Sequence, residues 1–289
     1  MRNGPVPVVF TDLDGTLLDH QSYSFEAARE ALARLRQAEV PLVLCSSKTR
    51  MEIEGLQTRL DSFHPFVSEN GAAIFIPPGY FPFTIPGAQE RAGYHVVEFG
   101  RPYHEIVDLL HRTAALEKVP VVGFSDMSVS EVAEACGLSM LDARLAKLRE
   151  YDEPFRILDE APASRNRLLR ALHRAGLRCV RGGRFDHVTG WVDKGISVAT
   201  LRALYRRASG DVVTVGLGDS LNDLGLLREV DIPVVVQNPS AGAAGHLARK
   251  VPTARVTREH GAAGWGEAVS TILAELGIAD SGMPRASGL

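Results

Sequence analysis

The chain has 289 residues, with 32 Lys and Arg set against 35 Asp and Glu, a formal net charge of −3. A balance this near neutrality offers no polyanion-binding footprint for nucleic acid or an anionic membrane, and no run of about 18 apolar residues is present to cross a bilayer. Three cysteines far apart, Cys45, Cys136 and Cys179, exclude a disulfide scaffold and a cysteine zinc site. Met1 to Val9 lacks the basic-then-apolar layout of a signal peptide, so a cytoplasmic location is expected.

Taken in chain order, Val6–Thr11 is a short apolar, β-branched run. Such a run reads as a strand buried on both faces, as in a parallel sheet. It leads into Asp12-Leu13-Asp14-Gly15-Thr16 and then a helical pattern carried by Phe25, Ala28, Leu32 and Leu35. A second buried strand, Pro41–Cys45, ends in Ser46-Ser47-Lys48-Thr49. This is the strand–helix–strand grammar of an α/β domain. A Pro/Gly cluster between residues 77 and 87 marks a domain boundary. Beyond it, helices are expected over residues 106–113, after the capping box Ser128–Glu131 with Gly137 as its stop, and over 165–175 before Gly176. The first grammar resumes with a helix opened by Lys194, strands at 211–215 and 232–236, and Gly216-Leu217-Gly218-Asp219 between them. The expected architecture is a Rossmann-like parallel sheet core, residues 1–83 and 188–279, interrupted by an inserted α+β cap domain, residues 84–187. A Gly/Ser/Pro-rich tail, 280–289, is expected to be flexible.

Four polar clusters carry the chemistry. Asp12 with Asp14, the Ser46-Ser47-Lys48 group and Asp219-Ser220-Leu221-Asn222-Asp223 each follow an expected strand, where open α/β sheets bind ligands. Lys194 instead opens a helix. Hydroxyls, backbone N–H groups and a lysine suit a phosphate. Carboxylate donors without His or Cys favour magnesium over zinc, and magnesium beside a phosphate points to phosphoryl transfer.

These segments resemble the signatures of the haloacid-dehalogenase-like phosphatases: Asp12-Leu13-Asp14-Gly15-Thr16 the D-x-D-G-T element, Ser46 the second, Lys194 the third, and Gly218–Asp223 the G-D-x-x-N-D element. Glu69-Asn70-Gly71-Ala72 is similar to the E-N-G-A segment of the branch with an α/β cap. Within that branch, Ser46–Arg50, Gly123–Met127, Arg149–Phe155 and Gly182–His187 resemble the mannosyl-3-phosphoglycerate phosphatases. The resemblance implies a magnesium-dependent hydrolysis of mannosyl-3-phosphoglycerate to mannosylglycerate, a compatible solute. It implies Asp12 as the nucleophile that forms an aspartyl phosphate and Asp14 as general acid and base. Ser46 and Lys194 would hold the phosphoryl group, and Asp12, Asp14, Asp219 and Asp223 the metal. Ser47, Lys48, Asn70 and Asn222 are candidate substrate contacts, as are the cap residues Arg181, Arg184 and His187.

Simpler readings stand beside these. Ser46 also reads as a helix N-cap, Lys48 and Arg50 as a solvated first helical turn, Asp193 as a cap or cation partner, Thr16 as a brace for the Asp loop, and Trp191 as a packing residue. Ser240–Gly245 reads as a loop or helix start. The substrate expected is a small phosphorylated sugar-glycerate, with no nucleic-acid or membrane partner; the sequence leaves the oligomeric state open. Competing functions are a glucosyl-3-phosphoglycerate or broader sugar-phosphate phosphatase, a phosphomutase, and a silent sugar-phosphate-binding protein.

Overall fold

The computed structural model describes residues 5–20, 22–159, 161–181, 184–239 and 243–278. Gly182 and Gly183 of the expected cap segment, Ser240–Gly242 of the small-residue segment and the tail 280–289 lie outside them. The first part of the chain runs β1 (Val6–Thr11), α1 (Arg29–Gln37), β2 (Leu42–Cys45), α2 (Arg50–Leu60), β3 (Phe66–Ser68), β4 (Ala73–Ile76), β5 (Gln89–Arg91) and β6 (Tyr94–Glu98). There follow α3 (Tyr103–Leu116), β7 (Val121–Gly123), α4 (Val129–Cys136), α5 (Met140–Ala146), β8 (Asp152–Ile157), α6 (Pro162–Arg174), β9 (Arg178–Arg181) and β10 (Asp186–Thr189). The last part holds α7 (Lys194–Ser209), β11 (Val212–Gly218), α8 (Leu224–Arg228), β12 (Ile232–Gln237), α9 (Ala243–Lys250), β13 (Arg255–His260) and α10 (Gly261–Glu275). Two compact units result, Met1–Cys45 with Val198–Leu289, and Ser46–Ser197. No helix among the described residues is long and apolar enough to cross a membrane.

The first unit is an α/β layer structure. Its strands run in the order β13-β12-β11-β1-β2, and every neighbouring pair is parallel. The apolar runs explain this. Val8, Val9 and Phe10 of β1 and Val234, Val235 and Val236 of β12 are all buried, as strands covered on both faces require. From β1 the chain proceeds to β2 on one side, and it returns through β11 on the other. The order therefore reverses between β1 and β11, the switch point at which such sheets open a crevice beyond their carboxyl ends. Helix α10 contributes Trp265, fully buried, whose Nε1 donates to Thr11 Oγ1 at 2.9 Å.

The second unit contains two antiparallel systems. In one, β4 pairs with β3 and β6, and β6 pairs with β5. Phe66 and Phe75 stack across the first pair with ring centroids 5.0 Å apart. Residues 89–98 thus extend the β3–β4 hairpin, and the separate sheet of the expected cap begins past Gly100 rather than at 84. That sheet has the order β7-β8-β10-β9, all antiparallel. A core of Ile106, Leu110, Phe155, Leu168, Leu172 and Val188 seals one of its faces with α3 and α6. The capping box at Ser128–Glu131 and the left-handed stop at Gly137, φ +69°, form as the sequence indicates.

Candidate active site

The acidic site of the first unit is built at the switch point. Asp12 follows β1 directly and Asp219 follows β11, and the two strands are paired with Thr11 opposite Leu217. The Asp12 N–H donates to the Leu217 carbonyl at 2.9 Å, while Thr11 Oγ1 donates to the Asp12 carbonyl at 2.7 Å. Trp265 therefore anchors the backbone of the Asp12 turn through Thr11. Asp12, Asp219 and Asp223 are all buried, and each offers a carboxylate oxygen within 4.8 Å of the others. The cluster is one of side-chain carboxylates; the ligand expected of Asp14 is its backbone carbonyl.

The turn itself is shaped for this approach. Gly15 has φ +83°, and a Cβ there would sit 2.7 Å from Asp219 Oδ2 and 2.8 Å from Asn238 Nδ2. Only glycine satisfies both the left-handed backbone and the missing space. Asn238 Nδ2 donates to Asp219 Oδ2, and Thr16 Oγ1 to Asp219 Oδ1 at 3.4 Å. Thr16 thus braces the loop as expected, whereas Asn238 is an orienting residue that the sequence analysis missed. Asp223 Oδ2 accepts from the Asp219 and Ser220 N–H groups at 3.0 and 3.1 Å, closing the turn that carries Asp219. Ser220 Oγ donates to Asn222 Oδ1 in the same turn.

Hard oxygen donors, close spacing, burial and a glycine-made cradle fit a small divalent cation. Carboxylates this near one another repel, so a cation between them lowers the free energy of the folded chain.

In the second unit, Ser46 is buried and its Oγ accepts from the Lys48 N–H at 3.1 Å. It is not the N-cap of α2. That position belongs to Thr49, which forms a reciprocal capping box with Glu52. Lys48 pairs with Glu52 at 3.9 Å, and Arg50 with Glu54 at 2.8 Å and Glu150 at 3.0 Å, so both basic residues have structural partners.

Lys194 is fully buried at the first position of α7. Asp193 beside it accepts from the Gly195 N–H at 2.9 Å and pairs with Arg178 at 3.4 Å, both roles expected of it. The Glu69–Gly71 turn packs directly on this segment. A Cβ at Gly71, φ +98°, would lie 2.1 Å from the Asp193 carbonyl oxygen, and Ser197 Oγ donates to the Gly71 carbonyl at 2.8 Å.

A buried polar network joins that turn to β8. Glu69 is fully buried and accepts from the Glu150 and Tyr151 N–H groups at 2.9 and 2.8 Å. Burial pushes its carboxyl up to about 8, against the pull of Arg149 and the two N–H donors. Arg149 donates to the Ser47 carbonyl at 2.7 Å and lies 3.7 Å from Asp152. Asp152 bonds Asn70 Nδ2 at 3.2 Å and His187 Nδ1 at 2.8 Å. Burial alone would raise the Asp152 carboxyl, yet His187, Arg149 and Asn70 hold it below the ordinary range. Glu153, also fully buried, accepts from Tyr103 Oη at 2.6 Å and from the Ser125 N–H and Oγ at 2.8 and 2.6 Å. A Cβ at Gly123 would fall 2.1 Å from Glu153 Oε1, which explains the glycine of that segment.

The cap candidates separate. Arg181 stands opposite Asp186 in the ladder and His187 opposite Val180. Neighbouring positions point to opposite faces, so Arg181 and His187 do not share one. Asp186 is gripped by Arg165 of α6, which places the Arg181 face on the helix side. Arg184 is exposed and reaches the Ala135 carbonyl near the end of α4 at 3.5 Å, a capping position. Trp191 is 60% exposed and meets His173 edge-on, contrary to its reading as a packing residue.

Comparison with known proteins gives the family. The family model described as haloacid dehalogenase-like hydrolase matches residues 9–80. A protein of Methanococcoides burtonii named glucosyl-3-phosphoglycerate/mannosyl-3-phosphoglycerate phosphatase is 45% identical over 80% of this chain and 85% of its own. One of the same name from Persephonella marina is 39% identical over 93% of this chain and 98% of its own. A haloacid dehalogenase-like hydrolase from Bacteroides thetaiotaomicron, 17% identical, superposes with a TM-score of 0.62 over 92% of this chain and 99% of that one, a likeness of fold. The chain belongs to the haloacid dehalogenase-like hydrolases, on their phosphatase branch. Both of these relatives bear the glycosyl-3-phosphoglycerate name.

Proposed function

We propose that this enzyme removes phosphate from mannosyl-3-phosphoglycerate, and from its glucosyl counterpart, to leave the glycosylglycerate. The observation that carries the reading is the 45% and 39% identity to relatives named for both esters. The Asp12 carboxylate attacks phosphorus and the ester P–O bond breaks. Asp14 gives its proton to the departing oxygen, then takes one from a water that attacks the aspartyl phosphate. Phosphate leaves and the Asp12 carboxylate is restored. Ser46 and Lys194 are proposed to hold the phosphoryl oxygens, the lysine as a compact positive charge. Magnesium is the proposed cofactor, with Asp12, Asp219, Asp223 and the main chain of Asp14 as its ligands; when bound it supplies charge neutralisation at the phosphoryl oxygens.

The sheet β7-β8-β10-β9 with its helices is proposed as the cap that reads the organic part of the substrate, and the cytoplasm as the location. The test is a panel of phosphate esters assayed with magnesium. The expected kcat/KM for the two glycosyl-3-phosphoglycerates exceeds that for mannose or glucose monophosphate by at least about tenfold. Comparable rates across the panel would replace this reading with that of a general sugar phosphatase.

A further inference from the structure

Asp152 is a buried carboxylate whose partners come from three separate segments. The residue is fully buried at the start of β8. Its Oδ2 takes a hydrogen bond from Asn70 of the Glu69–Gly71 turn, and its Oδ1 faces His187 of β10 and Arg149. Removing a charge this deep from water costs several kcal/mol, so a carboxylate kept there for packing alone is a poor solution. The ladder adds a second fact. Asp152 stands opposite Thr189, and His187 opposite Pro154, so Asp152 and His187 share one face of the sheet. It is the face turned away from Arg165 and α6.

The ring's protonation follows from its partner. An ionised carboxylate only accepts, so the His187 nitrogen 2.8 Å from Asp152 carries the hydrogen. In the tautomer that carries its hydrogen on Nδ1, the lone pair of the ring is on Nε2. Among the described residues Nε2 has no partner, and the His187 side chain is 18% exposed. An Nε2 lone pair accepts from a hydroxyl group and offers nothing to a second acceptor such as a carboxylate.

We propose that Asp152 is a positioning residue for substrate recognition, fixing His187 with Nδ1–H turned inward so that Nε2 accepts from a sugar hydroxyl of the substrate. This rests on the glycosyl-3-phosphoglycerate reading above. Asn70, held by the other oxygen, ties the same carboxylate to the turn that packs on Asp193.

The test uses the full chain with magnesium and two substrates, mannosyl-3-phosphoglycerate and the sugar-free 3-phosphoglycerate. Asp152→Asn is expected to lower kcat/KM on the glycosylated ester by about tenfold more than on the sugar-free one, chiefly through KM. Nitrogen-15 spectra of labelled histidine are expected to show His187 as the Nδ1–H tautomer in the parent and as Nε2–H in the variant. Should Asp152→Asn fail to fold, His187→Ala, at a partly exposed position, carries the same kinetic expectation. An equal loss on both substrates, or an Nε2–H tautomer in the parent, would overturn the proposal. If the parent hydrolyses neither glycosyl ester, the substrate reading fails instead, and the spectra still decide whether Asp152 orders the ring.

Discussion

Both units bury carboxylates, one as a converging cluster and the other as separate groups. In the first, Asp12, Asp219 and Asp223 turn oxygens towards one another within 4.8 Å. In the second, Glu69, Asp152 and Glu153 are each met by donors of their own: two N–H groups, an amide with a histidine and Arg149, and a tyrosine with a serine. The first arrangement gains from an added cation, whereas the second carries Arg149 as its own. Acidic residues in a buried position thus have two meanings, and whether their oxygens converge on one point decides which applies.

The sharpest way to break the contrast is to remove one charge from each side. Asp12→Asn is expected to lower kcat by at least about 10³-fold with the far-ultraviolet circular dichroism unchanged. Substantial residual turnover would refute the nucleophile assignment. Arg149→Met strips the second network of its cation and leaves Asp152 and the Ser47 carbonyl without it. Here the expected loss is one of stability, about 3–5 kcal/mol in urea unfolding, and a variant as stable as the parent would show that the network does not need its cation.

Adding a cation reads the comparison from the other side. Magnesium at about 100 times its dissociation constant stabilises a one-site protein by about 2.7 kcal/mol. The melting temperature is therefore expected to rise by several degrees, and Asp219→Asn to abolish that rise. An undiminished rise in the variant would place the ion elsewhere.

The smallest effect concerns Glu69. Its carboxyl is raised to about 8 by burial, so the folded chain holds a proton that the unfolded chain has released above its ordinary value of 4.5. Stability from this group therefore falls as pH climbs from about 4.5 to about 8 and levels off beyond. Glu69→Gln is expected to flatten that slope, measured as unfolding free energy between pH 5 and 8. An unchanged slope would mean that Glu69 is ionised throughout.

The first unit was largely legible because its signals are local. Continuous apolar runs marked β1, β2, β11 and β12, and the acidic clusters lay at the strand ends where the crevice forms. Ser128 and Gly137 announced both ends of α4 through cap chemistry. The second unit was less so. The Pro/Gly cluster at 77–87 interrupts the chain without ending its sheet, because β6 returns to pair with β4. Which face Arg181 and His187 occupy depends on ladder register, which spacing alone does not give. Asn238, a lone amide after β12, has no pattern to betray it, and its role appears only where Gly15 leaves room for Asp219.

The bond from Trp265 to Thr11 has an optical consequence. The chain holds two tryptophans, and they are opposites in exposure: Trp191 is 60% accessible and Trp265 is 0%. Acrylamide in solution reaches the indole of Trp191 and leaves that of Trp265 dark to it. The unquenched emission therefore comes from an indole hydrogen-bonded one residue away from Asp12. The enzyme carries a fluorophore beside its proposed nucleophile, one that reports rearrangement of that turn without any label.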